Sequence, residues 1–134
     1  MSGLTEKRVL DVPFRPEAVS QARADARKAL ADWGRADLTD QIILIVSELV
    51  TNALRHGAPD ITLTLCLRRD QIDGQVQDRG DGWPVMADPE QDEEHGRGLE
   101  LVDAIADRWG VRAPHDKFGG KIVWFSLTTP VVPS

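Results

Sequence analysis

The run from Ile42 to Gly57 constrains this chain more than any other stretch. Ile42, Val46, Leu49 and Ala53 recur at three- and four-residue steps, which is the spacing of a helix with one buried stripe. Asp37 or Thr39 is placed to cap its start, and Gly57 to stop its end. Glu48, Asn52 and His56 stack along one edge of the stripe, one turn apart. A carboxylate and a carboxamide at the margin of a buried face cost free energy unless each finds a partner. One solution is a magnesium ion, with Asn52 giving a neutral carbonyl ligand and Glu48 holding a proton or orienting a nucleophile. The plainer solution is that all three side chains face water.

The rest of the chain supplies layers for that helix to pack against. Val9 to Val12 reads as a short strand after a loose tail, Met1 to Lys7, and is halted by Pro13 and Pro16. Glu17 to Trp33 is helical, with Val19, Ala22, Ala26, Leu30 and Trp33 on one side and Arg23, Arg27 and Lys28 on the wet side. Ile61 to Leu67 alternates strictly, turns at Arg69-Asp70, and continues as Ile72 to Asp78. The alternation sets Ile72, Val76 and Asp78 on the same inward face.

Arg79 to Pro84 reads as a sharp glycine loop, and the acid-rich stretch Val85 to His95 as a solvated connection. Gly96-Arg97-Gly98 then opens a helix over Leu99 to Asp107. Trp109 to Ala113 and Lys121 to Leu127 are strands joined by a turn at Lys117 to Gly120, and Thr128 to Ser134 trails off. This pattern predicts an α+β two-layer sandwich: helices on one face of a mixed, largely antiparallel sheet. Length suits one domain, residues 1–134, with an ordered core of about 8–128.

Composition excludes some functions. A net charge of −6 argues against bulk binding to nucleic acid or lipid headgroups. The lone Cys66 cannot form an internal disulfide and is expected as a packed thiol. Neither Met1 to Arg15 nor any later run looks like an export signal or a membrane span, so a cytoplasmic protein is expected. No Cys or His pair sits at zinc-ligand spacing.

Three patches carry chemistry. The first is the Glu48/Asn52 edge. The second is Asp78 with Gly80 and Gly82, where a carboxylate could accept a hydrogen bond from an exocyclic base amine and bare backbone could let a ring lie close. Alternatively, Asp78 caps its own turn. The third is Gly96 and Gly98 at a helix start, where unpaired amides suit phosphate, although many helices start after glycine for turn geometry alone. His56, by the same reading of residues, packs or hydrogen-bonds at its helix end. Lys121 is expected in solvent.

The order of these patches resembles a known family. Glu48-Leu49-Val50-Thr51-Asn52-Ala53 is similar to the N-box of the Bergerat-type (GHKL) ATPases shared by histidine kinases, gyrase and Hsp90. Asp78-Arg79-Gly80-Asp81-Gly82 and Gly96-Arg97-Gly98-Leu99 are similar to their two glycine boxes. With Arg55-His56-Gly57, Leu99-Glu100-Leu101-Val102 and Trp109-Gly110-Val111, the chain resembles the anti-sigma-factor serine/threonine kinases from Val9 to about Leu127.

The resemblance implies a Bergerat ATP-binding fold and a homodimer that binds ATP and Mg2+. It implies a protein that sequesters a sigma factor and phosphorylates a small anti-anti-sigma antagonist. By position, Glu48 would be the catalytic carboxylate and Asn52 the magnesium ligand. Asp78 and Gly82 would read adenine, Arg97 and Gly98 would lie by the phosphates, and His56, Gly80, Gly96 and Leu99 would complete the nucleotide surround. The alternative is an ATP-binding partner-switching module without kinase activity. Two departures stand out. Relatives place a threonine near adenine after the last hairpin's glycine, where this chain has Lys121 after Gly120. Histidine kinases carry an upstream helical hairpin with the phosphorylated histidine, and no such hairpin is expected here.

Overall fold

The computed structural model describes residues 3–80, 93–114 and 119–128. Its elements are β1 (Leu4–Val12), α1 (Ala18–Asp32), a 3-10 turn (Ala36–Leu38), α2 (Thr39–His56), β2 (Ile61–Arg68), β3 (Gln71–Asp78), α3 (Glu93–Ile105), β4 (Arg108–Arg112) and β5 (Lys121–Thr128). The strands form one five-stranded sheet in the order β1-β2-β3-β5-β4. All four pairings are antiparallel, and the β2–β3 hairpin turns at Arg69-Asp70 as its sequence predicts. The expected α+β two-layer fold is the observed one.

Register explains the core. Leu63 opposes Val76, Val76 opposes Val123, and Ile72 opposes Leu127, so strand alternation collects these side chains on one face. They join one cluster with Ile42, Ile45, Val46, Leu49, Val50 and Ala53 of α2. Each large aliphatic side chain so buried stabilises the fold by roughly 1.5–3 kcal/mol. Helix α1 contributes Ala18, Ala22, Ala26, Ala29 and Leu30 to the same cluster. Its small side chains let it lie close along α2, which also packs against α3 and β3.

Several boundaries differ from expectation. Strand β1 starts at Leu4, so most of the expected tail pairs with β2 through to Arg68. The opposite strand provides the ladder that the sparse apolar content of residues 4–8 does not announce. Neither Asp37 nor Thr39 caps α2; Leu38 holds the N-cap position with no side-chain bond, and the 3-10 turn feeds directly into the helix. Gly57 does end it, its N–H donating to the Ala53 carbonyl at 2.8 Å. Cys66 is a free, half-buried thiol, and burial raises its pKa. No helix among the described residues is long and apolar enough to cross a membrane.

The expected loop at Val85 and the turn around Lys117 lie largely outside the described residues, as do Gly82 and the trailing segment past Thr128.

Candidate functional site

The candidate residues that the structure describes lie on α2, at and just past the end of β3, and on α3, and α2 packs against both β3 and α3. At one end, the chain leaving α2 is tied to the end of β3 by the Arg79 N–H, which donates to the Ala58 carbonyl at 2.9 Å. Glycine makes this approach possible. A Cβ on Gly57 would overlap the Asp78 carboxyl group, and one on Gly80 would sit 2.9 Å from the Gly57 Cα. Gly120 has φ +97°, and a Cβ there would strike the Asp78 carbonyl oxygen. So Gly57 lies close to the Asp78 carboxyl group, Gly120 to the Asp78 backbone, and Gly80 to Gly57.

Asp78 is on the core face, as its alternation predicts, and is 1% exposed. Its Oδ1 accepts the Gly80 N–H at 2.7 Å, which is the self-capping turn. It also meets Lys121. The two residues are register partners across β3 and β5, and Lys121 Nζ lies 3.0 Å from Oδ2 and 3.2 Å from Oδ1. Lys121 is 0% exposed, so the expectation that it faces solvent is wrong. The physical reason is legible in the strand: Lys121, Val123, Phe125 and Leu127 alternate onto one face, and a buried ammonium there needs the buried carboxylate beside it. Sequence reasoning applied that alternation to Asp78 and not to Lys121.

Asn52 lies one turn before His56 and presents the opposite case. It is 9% exposed, and its Oδ1 is buried with no hydrogen-bond partner among the described residues. Buried acceptors are nearly always satisfied, and an orphan costs about 1–3 kcal/mol. Glu48, a turn back, is half-buried on the same edge, so the reading in which all three side chains face water fails at Asn52. Ser47 is turned inward on its own helix, its hydroxyl donating to the Ile43 carbonyl at 2.7 Å.

The third patch is arranged differently from expectation. Helix α3 begins at Glu93 and ends at Ile105, so Gly96, Arg97 and Gly98 fall inside it instead of opening it, and it stops short of Asp107. Glu93 and Glu94 in the sequence suit a first turn, where acids interact favourably with the helix dipole, and this offsets part of the roughly 1 kcal/mol that each of the two glycines costs within a helix. Leu99 is buried. Helix α3 packs on α2, the helix that carries Glu48 and Asn52.

Magnesium fits Asn52. The ion takes few protein ligands and completes its shell with water and phosphate oxygens. An unpartnered neutral carbonyl at the margin of the core is suited to it. Among the described residues no cluster of His, Cys, Asp and Glu offers a self-sufficient metal cage. A base amine fits Asp78 only where Lys121 gives way. A cavity of about 460 Å³ lined by Arg68, Asp73, Arg112 and Trp124 lies on the outer face of the sheet, away from Asp78, and has no part in this site.

The described residues form an α+β domain with helices packed on one five-stranded sheet. The sequence profile of the histidine kinase-like ATPase domain matches residues 12–127, and this chain belongs to that family. Among solved structures, the RsbU and RsbW domains of Rv1364c from Mycobacterium tuberculosis align with TM-score 0.67 at 24% identity, covering 94% of this chain and 34% of that one. The Acinetobacter baumannii histidine kinase AdeS aligns with TM-score 0.50 at 18% identity, covering 93% and 69%. The chain therefore spans about a third of the first of these proteins, and the likeness is one of fold. No curated protein matches it.

Proposed function

We propose that this chain is a cytoplasmic ATP-binding regulator that phosphorylates a serine or threonine of a small anti-anti-sigma partner and sequesters a sigma factor, acting as a homodimer. The observation that carries the nucleotide reading is the buried, unpartnered Oδ1 of Asn52, on a helix edge shared with Glu48, within a histidine kinase-like ATPase domain. The three motifs that resemble the anti-sigma-factor kinases support the partner assignment. So does the fold shared with a protein whose name includes an RsbW domain.

In this reading Asn52 is the magnesium ligand, and His56, Gly80, Gly82, Gly96, Arg97, Gly98 and Leu99 surround the nucleotide. Glu48 orients the incoming hydroxyl and takes its proton. Bound ATP and magnesium supply the phosphoryl group and neutralise its charge, and positioning does most of the remaining work. The test is incubation with γ-labelled ATP, magnesium and a candidate antagonist. Label should pass to the antagonist and be lost with Glu48→Ala; transfer that survives this change removes Glu48 from the mechanism.

A second reading is a module that holds nucleotide to set its shape and switches partners without transfer. Calorimetry alongside the labelled-ATP assay separates the two: ATP binding with no transfer to any partner supports the second.

A further inference from the structure

Asp78 is the one carboxylate that the core face of β3 offers to a base, and every described donor near it belongs to the chain itself. Gly80 N–H and Lys121 Nζ share Oδ1, and Lys121 Nζ also takes Oδ2. At 1% and 0% exposure, carboxylate and ammonium leave no open approach from water. Gly57 backbone lies close against the same carboxyl group.

We infer that Lys121 determines base recognition at this site: its ammonium occupies the carboxylate that an adenine amine would bind, so that contact forms only when Lys121 is displaced. The inference rests on the nucleotide reading above. An ammonium and an exocyclic amine are both N–H donors, and they compete for the same oxygens. The ammonium carries full charge and is tethered by register opposite Asp78, so it competes at high local concentration. The Lys side chain has a flexible four-carbon stem, which allows the displacement.

The consequence is a loss of base selectivity. A site whose carboxylate is free rewards the amine of adenine and rejects the carbonyl of hypoxanthine. A site whose carboxylate is already taken gains little from the amine, and a displaced ammonium even suits a carbonyl oxygen.

The experiment is calorimetry with ATP and with ITP, each with magnesium, on the full chain and on Lys121→Thr, with folding checked by circular dichroism. The parent should separate ATP from ITP by less than about threefold. Lys121→Thr should bind ATP about tenfold more tightly than the parent does, and should prefer ATP over ITP by a similar factor. A merely structural ion pair would alter thermal stability and leave the ATP/ITP ratio unmoved. A folded Lys121→Thr protein with the parent's ATP affinity and ratio overturns the inference and leaves the nucleotide reading standing. If neither protein binds ATP or ITP, the nucleotide reading fails and takes the inference with it. Should Lys121→Thr not fold, Lys121→Gln carries the same test: it keeps the length and a neutral donor, and a gain of about threefold for ATP over the parent is expected, no change overturning the inference.

Discussion

Asn52 and Asp78 are both buried polar side chains, both on elements that meet at one end of the sheet, and they are solved in opposite ways. Asn52 Oδ1 has no partner among the described residues. Asp78 has Gly80 on one oxygen and Lys121 on both. A buried polar atom without a partner is an invitation to a ligand, because the cost of its isolation is recovered only on binding. A buried polar group partnered from within must lose a partner before it can bind anything else, and breaking one side of such a pair strands the other. Two residues that the sequence reads as neighbours in one site thus stand on different sides of the line between function and stability.

The strongest way to break this contrast is to remove the partner of Asp78. Lys121→Met should lower stability in urea or guanidinium unfolding by about 3–5 kcal/mol, because it strands a buried carboxylate. The double change Asp78→Leu with Lys121→Met should return most of that loss, since replacing both members of a buried pair by apolar groups is often neutral. A smaller effect is expected at Gly57. Gly57→Ala pushes a methyl into the Asp78 carboxyl group and should cost about 1–3 kcal/mol, read by the same unfolding measurement.

Asn52 should behave in the reverse manner. Asn52→Ala removes an unsatisfied acceptor, so its stability should change by less than about 1 kcal/mol, while magnesium-dependent ATP binding falls at least about tenfold by calorimetry. A large stability loss with binding intact would erase the distinction drawn between the two residues.

The smallest effect lies far from the site. The Thr128 backbone N–H donates to Asp107, and this bond holds the carboxyl below its usual value of 3.8. A carboxylate whose folded pKa is depressed contributes stability above its unfolded value and loses it as pH falls through the folded value. Asp107→Asn should therefore flatten the acid limb of the stability curve slightly, because Asp107 is exposed and screened by solvent. It should leave the pH dependence of nucleotide binding unaltered.

The α2 stripe, the β2–β3 hairpin and the inward turn of Asp78 were all legible in the sequence, since periodicity and turn chemistry are local properties. Alternation in β5 also carried the burial of Lys121, because a residue two before Val123 must share its face. Other features were not local. The extent of β1 depends on the ladder β2 offers, and the start of α3 on acids and packing that outweigh its glycines.

What the sequence by itself determined is the class of fold and the identity of the polar residues that the core must accommodate. Whether each of those residues has a partner was decided only by the tertiary structure. Asp78 and Lys121 are 43 residues apart, and nothing but the β3–β5 register sets their charges face to face. Asn52 Oδ1 has no partner among the described residues, whereas Asp78 has two. Partnership across the sheet is a matter of three-dimensional proximity, and the free energy of a buried polar group follows its partners more closely than its place in the chain.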